Sequence, residues 1–291
     1  MRVCLMIEGQ EGVTWEQWRA LATTAEAAGF EALFRSDHYM SLDGSSAGGS
    51  LDAWGTLNAL AALTSTLRLG TLVSPATFRH PSVLAREVVT ADHVSGGRVE
   101  LGLGAGWHER EHAAHGFPFE TVRERFDRLA EQLEIVRRSW EPGPFDFAGR
   151  LYRLEQADPL PKPVARPPII IGGGAGPRSV ALAARWADEY NTIFATPEQC
   201  RERRERVAAA CAEAGREPIP FSLMTGFAIA GDHAARLHPA PGWLTGTLRE
   251  IVAQLHELEQ AGVERVMLQH LVHDDLETVE LIGREVVPEV A

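Results

Sequence analysis

The chain has 291 residues, 45% of them hydrophobic, enough for a sizeable core and about the length of one α/β barrel. Its net charge of −12, with Lys162 the only lysine among 28 basic residues, offers no basic surface to nucleic acid and argues against that partner. No apolar run reaches the ~18 residues of a membrane helix, and Cys4, Cys200 and Cys211 have neither paired nor metal-ligand spacing, which fits reduced thiols in a cytoplasm.

Short apolar runs alternate with longer amphipathic ones. "VCLMI" (3–7) predicts a first strand, since its apolar stretch is too short for a signal peptide. Thr14 and Gln17 have capping-box spacing for a helix that Gly29 ends as a C′ glycine. "EALFRS" (31–36) predicts a second strand, and it runs straight into Asp37 and His38. Residues 41–50 form a small-residue loop, and Asp52 is placed to cap the helix "AWGTLNALAALT". "LRLGTLVS" is a third strand closed by Pro75; a helix over 82–94 and "GGRVELGLG" as turn and fourth strand follow. Residues 120–140 carry Phe126, Leu129, Leu133 and Val136 at helical spacing.

Residues 141–168 are too rich in proline for a helix and predict an excursion, with a hairpin around Gly149. "IIIGGG" resumes as a fifth strand, then helix "PRSVALAARWA", strand "DEYNTIF", and a helix from Pro197 to Gly215. In that helix "RERRER" mixes both signs and reads as a solvated face. A seventh strand "FSLMTGFAIA", a Pro/Gly loop over 231–246, a helix over 247–261, an eighth strand "VERVMLQHL" and a last helix complete the chain. Eight strand–helix units predict a TIM barrel over 1–291 with loop excursions at its C-terminal face; a doubly wound open sheet is the alternative.

In a barrel, function gathers where strands end. Those ends supply Glu8, Gly9 and Gln10; Asp37 and His38; Val73, Ser74, Thr77 and Arg79; Gly104, Gly106, Trp107 and His108; Gly172, Gly173 and Gly174; and Gln269 and His270. Acids, imidazoles, Arg and glycines ringed by aromatics suit a large planar ligand with an anionic tail. "IGGGAGPRS" (171–179) places flexible backbone directly before a helix start, the arrangement that grips phosphate; a tight turn is the plain alternative. Its spacing is not that of a dinucleotide fingerprint. "HEREH" (108–112) matches H-E-x-x-H, which would make His108 and His112 zinc ligands, Glu109 a base, and His115 or Glu131 a third ligand. The glycine turn before it weakens that reading, and no resident metal is expected. His38 is suited to moving a proton near neutral pH, with a structural pair of Asp37 and His38 as the alternative. No Ser/His/Asp triad is legible.

The stretches "SDH", "GTLVSPATFRHP", "GLGAGWHEREHAAHGFPF" and "PPIIIGGGAGPRSVALAARWADEYN" together resemble the bacterial luciferase-like superfamily, most closely its branch of oxidoreductases dependent on coenzyme F420, a deazaflavin. The resemblance runs nearly end to end. It implies a homodimeric TIM barrel with the ring of F420, or of FMN in the monooxygenase alternative, in the barrel mouth. It implies that Asp37 contacts the ring system, that His38 carries a proton or stabilises charge, that Glu8 lines the substrate side, and that a non-proline cis bond near Leu72–Val73 backs the ring. The expected cofactor set is Asp37, Leu72, Val73, Ser74, Gly104 and Gly106, with Gly172, Gly173 and Gly174 on the phosphate. One departure is Trp107, which stands where sugar-phosphate dehydrogenases of the branch carry a Glu; it points instead to a small apolar or aromatic substrate stacked over the ring. A core Trp is the alternative. The expected catalytic set is therefore His38, Glu8 and Trp107. A barrel that binds flavin without turnover, and a zinc hydrolase built on "HEREH", are the readings outside this class.

Overall fold

The computed structural model describes residues 1–42, 44 and 48–290. Asp43, Ser45, Ser46 and Ala47 of the small-residue loop lie outside the described residues.

In chain order the first half contains β1 (Arg2–Ile7), α1 (Trp15–Ala27), β2 (Ala32–Arg35), α2 (Ala53–Leu63), β3 (Arg68–Pro75), α3 (Pro81–Ser95), β4 (Val99–Gly104), α4 (Glu109–His115) and α5 (Val122–Trp140). The second half contains β5 (Phe145–Ala148), β6 (Arg153–Ala157), β7 (Ile169–Gly172), α6 (Pro177–Trp186), β8 (Glu189–Ile193), α7 (Pro197–Glu213), β9 (Phe221–Ile229), α8 (Asp232–Ala235), β10 (Leu244–Gly246), α9 (Leu248–Gln260), β11 (Arg265–Gln269), α10 (Leu276–Glu285) and α11 (Val287–Val290). Strands β1, β2, β3, β4, β7, β8, β9 and β11 pair in parallel around a ring, and β8 meeting β9 closes it. That closure rules out the open sheet.

Local chemistry explains the element boundaries. Thr14, Thr121, Thr196 and Thr247 each form a full capping box, and Asp52 accepts from the Gly55 N–H. Gly29 (φ 80°) leaves α1 in the left-handed conformation that the C′ position needs. The barrel strands are buried on both faces. Inward-facing Cys4, Met6, Ala32, Phe34, Leu72, Ile170, Met224 and Met267 fill the barrel, while alternate residues such as Leu5, Leu33, Leu69 and Leu101 pack under the helices.

The expected hairpin is β5–β6, turning at Gly149, where the Gly149 N–H donates to the Tyr152 carbonyl. The 231–246 segment differs from expectation. It is not all loop, since it holds α8 and a three-residue strand, β10, that adds to β9 through Leu244 opposite Phe227. A strand this short forms because β9 offers it an edge, which no local pattern reveals.

At the N-terminal end an ionic cluster plugs the barrel. Arg265, with 3% of its side chain exposed, lies 3.0 Å from Glu31, 2.9 Å from Glu100 and 3.0 Å from Glu189. Its guanidinium rests over Phe34, and Arg68 also pairs with Glu100. Burial works against ionising Glu100, but Arg265 and Arg68 outweigh it and hold that carboxyl below its ordinary range. Burial dominates at Glu189 and pushes it up. Burial also pushes the nearby Cys4 thiol up to about 12, so Cys4 is an inert core group.

Candidate active site at the C-terminal mouth

The residue that follows β2 and faces the mouth is His38. Its Nδ1 lies 2.7 Å from Glu111 Oε2, on α4, and 12% of its side chain is exposed. Burial pulls the imidazole down, but the hydrogen bond and charge of Glu111, with Glu8 and Asp37 behind it, outweigh burial and raise it above its ordinary value. Glu111 itself is fully buried. Burial resists its ionisation, yet His38 and the Tyr39 N–H hold it below the ordinary carboxylate range. Ionised Glu111 therefore accepts a proton-bearing Nδ1, which leaves Nε2 of His38 as the nitrogen free to take or give a proton.

Trp107 is 62% exposed, which settles the core alternative against it. It stacks on His108 (centroids 5.1 Å, planes 25° apart) and meets His38 edge-on at 5.8 Å. Glu8 is near-buried and accepts from Gln269 Nε2 at 2.6 Å and Gln10 Nε2 at 2.8 Å, so strands β1 and β11 hold it as a fixed negative group.

Asp37 is 1% exposed. Its carboxylate accepts from Ser74 Oγ at 2.6 Å and from both terminal nitrogens of Arg79, at 2.6 and 3.2 Å. Ser74 in turn accepts from Trp54 Nε1 at 3.2 Å, and Arg79 reaches Asp52 at 2.6 Å and Glu87 at 3.2 Å. Asp37 and Ser74 are thus struts of the wall that carries His38, and neither presents a free group to the mouth.

The peptide between Leu72 and Val73 is cis. Val73 sits in space left by glycines: a Cβ on Gly104 would come within 2.7 Å of its Cγ2, and one on Gly102 within 2.9 Å of its Cγ1. Val73 is partly exposed, while Leu72 is buried with the inner-barrel side chains. Gly106 (φ 80°) turns the chain out of β4 beside Thr77.

The three glycines after β7 do not contribute alike. Gly172 is still in the strand, and the Gly173 N–H donates to the Asn191 carbonyl. The Ala175 N–H donates to Tyr190 Oη. The N–H groups of Gly174, Gly176 and Arg178 have no protein acceptor among the described residues, and a Cβ at Gly174 or Gly176 would meet nothing within 4 Å. The open cradle at the start of α6 therefore keeps Gly174 of the three expected glycines and extends two residues beyond it to Gly176, without Gly172 and Gly173. Pro177 opens that helix at its first turn, as expected.

"HEREH" does not assemble as a zinc motif. His108 is the residue before α4, not inside it, so the two histidines do not share a helical face. His112 instead bonds Thr77 Oγ1 and the His108 carbonyl, both at 2.7 Å. Glu109 is exposed, and Glu131 is spent on the N–H groups of Arg150, Leu151 and Tyr152 in the hairpin. The residues of that stretch that reach the site are His108, stacked on Trp107, and Glu111, bonded to His38. The spacing from His108 to Glu111, one helical turn, was the only local signal of Glu111.

A sequence profile of luciferase-like monooxygenases matches residues 3–240. The chain belongs to the luciferase-like monooxygenase family. Among curated relatives, this luciferase-like chain is 32% identical over 231 residues to an F420-dependent hydroxymycolic acid dehydrogenase of Mycobacterium tuberculosis, covering 77% of this chain and 62% of that one. It is 33% identical over 193 residues to a pyrimidine monooxygenase of Stutzerimonas stutzeri, covering 64% and 53%. It is 37% identical over 175 residues to an F420-dependent glucose-6-phosphate dehydrogenase of Nakamurella multipartita, covering 59% and 50%. The matched segments thus span half to three-fifths of these relatives. In fold it is similar to an F420-dependent secondary alcohol dehydrogenase solved with an F420-acetone adduct (TM-score 0.88, 19% identity, 100% and 99% of the two chains). No helix among the described residues is long and apolar enough to cross a membrane.

A second group of imidazoles lies on the β9–β11 side of the luciferase-like barrel. His270 is fully buried and packs beside both Phe227 (6.1 Å) and His233 (6.2 Å), which stack on each other at 5.0 Å, and neither of its ring nitrogens is bonded to a described residue. Burial, reinforced by His273 and His233, pushes it down to about 3. An unfolded chain binds this proton near pH 6.5 and the folded one does not, so His270 costs stability as pH falls below 6.5. At pH 5 the loss is about 2 kcal/mol from this group. His270→Phe should therefore flatten the fall of urea-unfolding stability between pH 7.5 and 5; a slope equal to that of the wild type would refute this account.

Proposed function

We propose that the chain is an F420-dependent oxidoreductase that moves hydride between the deazaflavin C5 and a small organic, apolar or aromatic substrate. The observation that carries this reading is the His38–Glu111 pair beside exposed Trp107 on the barrel face that also bears the Gly174–Gly176 cradle. The residues fit such a cofactor. Free N–H groups of Gly174, Gly176 and Arg178 at the positive end of α6 suit its phosphate, and the partly exposed Val73 offers the ring an apolar backing. When bound, F420 supplies the hydride chemistry. His38 holds the matching proton on Nε2, Glu111 fixes the ring's orientation, and Trp107 offers an apolar wall to the substrate. The F420-dependent relatives support the cofactor assignment, and FMN with oxygen is the second reading, favoured by the match to the pyrimidine monooxygenase.

Fluorescence titration with F420 and, separately, FMN tests the proposal: tight F420 and weak FMN binding are expected, and the reverse would transfer the proposal to the monooxygenase. Gly174→Val places a branched side chain where none now stands. It should weaken cofactor binding roughly tenfold or more, ~1.4 kcal/mol, without loss of fold, and unchanged affinity would remove the cradle from the reading. A homodimer is part of the same proposal. Leu63, Val83 and Val94, on α2 and α3, are apolar and about half exposed, which supports a partner surface there. Light scattering should return twice 31.8 kDa.

A further inference from the structure

The mouth holds a second chemistry besides proton transfer. His38, His108 and Glu111 each place one ligand atom so that all of these atoms lie within 4.8 Å of one another. Glu111 Oε2 is the hub, 2.7 Å from His38 Nδ1 and 3.7 Å from His108 Nδ1. His108 is 8% exposed, yet its Nδ1 has no hydrogen-bond partner among the described residues and faces the same carboxylate. Two imidazole nitrogens and one carboxylate oxygen form a donor set typical of zinc with one position left open. His38 keeps part of its edge exposed, which gives an ion a route from the mouth.

We propose that His38, His108 and Glu111 form a three-ligand site for a divalent transition ion, zinc by its donor set, whose occupancy excludes the proton that His38 and Glu111 otherwise share. The ion bonds His38 Nδ1, His108 Nδ1 and Glu111 Oε2, and a water completes the tetrahedron. The proton between His38 and Glu111 leaves to buffer, so no electron transfer or co-reactant is involved. Zinc so bound would act as a reversible brake on chemistry that needs His38 at the mouth. This part alone rests on the proposed function; the binding does not.

The test titrates metal-stripped protein, without any cofactor, with zinc chloride against a chromophoric chelator. One equivalent per chain with submicromolar affinity is expected, with proton release visible as a dependence of the binding heat on the buffer. His108→Ala and Glu111→Gln should each weaken binding roughly tenfold or more, while His115→Ala, on the exposed end of α4, should bind as the wild type does. No stoichiometric binding, or binding that survives both substitutions, would overturn the site. Should either variant fail to fold by circular dichroism, zinc-edge X-ray absorption on the wild type decides: two imidazoles with one or two oxygens support the site, and any sulfur ligand or four imidazoles refutes it. In the wild-type protein, absence of zinc binding with intact F420 affinity would sink this proposal alone, and absence of F420 binding with intact zinc affinity the other alone.

Discussion

His38→Ala should lower turnover by roughly 10²–10⁴-fold while cofactor affinity stays nearly the same. The geometry separates the two effects. His38 is fixed by Glu111 at 2.7 Å and edges onto Trp107, whereas the free N–H groups suited to phosphate belong to Gly174, Gly176 and Arg178 on a different strand–helix junction. Removing the imidazole leaves Glu111 buried, but the Tyr39 N–H still donates to it, so the wall should survive. His38→Gln provides the control: an amide can keep the contact with Glu111 without carrying a proton near neutral pH. Single-turnover rates in both variants with a bound, reduced cofactor are the measurement. A Gln variant as slow as the Ala variant assigns the loss to the proton, and undiminished rates in either would end the role given to His38.

Arg265→Met should destabilise the fold by about 3–5 kcal/mol. Methionine keeps much of the volume, but Glu100 and Glu189 would then share a buried space, with partly exposed Glu31 beside them and only Arg68 and Arg2 left at its edge. For a chain of this size that corresponds to a melting temperature lower by about 5–8 °C. The companion Arg265→Met/Glu100→Gln/Glu189→Gln removes the charges together and should regain much of the loss, because the penalty lies in unpaired charge more than in the missing contacts. A single variant within about 1 kcal/mol of the wild type by urea unfolding would show that water or relaxation supports these carboxylates without Arg265.

The barrel was legible where its signals are local. Capping boxes at Thr14, the glycine after α1, the proline-rich excursion and the alternation of strand and helix all follow from residues within a few positions of one another. The site was legible only in outline, since strand ends can be listed without knowing which of them touch. Asp37 and Arg79 are 42 positions apart, so their pairing, which commits Asp37 to the wall, depends on β2 lying beside β3. Glu111 was overshadowed because H-E-x-x-H directs attention to His112. A helix that begins one residue after His108 instead swings Glu111 toward His38, 73 positions earlier. The open cradle begins at Gly174 instead of Gly172 for a similar reason: Asn191, on the next strand, claims the Gly173 N–H.

The charged plug at the N-terminal end has a kinetic corollary. With Arg265 and its acids filling one end, and Met6, Phe34, Ile170, Met224 and Met267 filling the middle, traffic to the interior is confined to the mouth. In the proposed reaction the cofactor and substrate would use one doorway, so whichever lies deeper must arrive first and depart last. Steady-state rates should show a compulsory order rather than random addition. The deeper product, last to leave, should compete only with the deeper substrate, and an excess of the outer substrate should trap the deeper partner and slow its exchange.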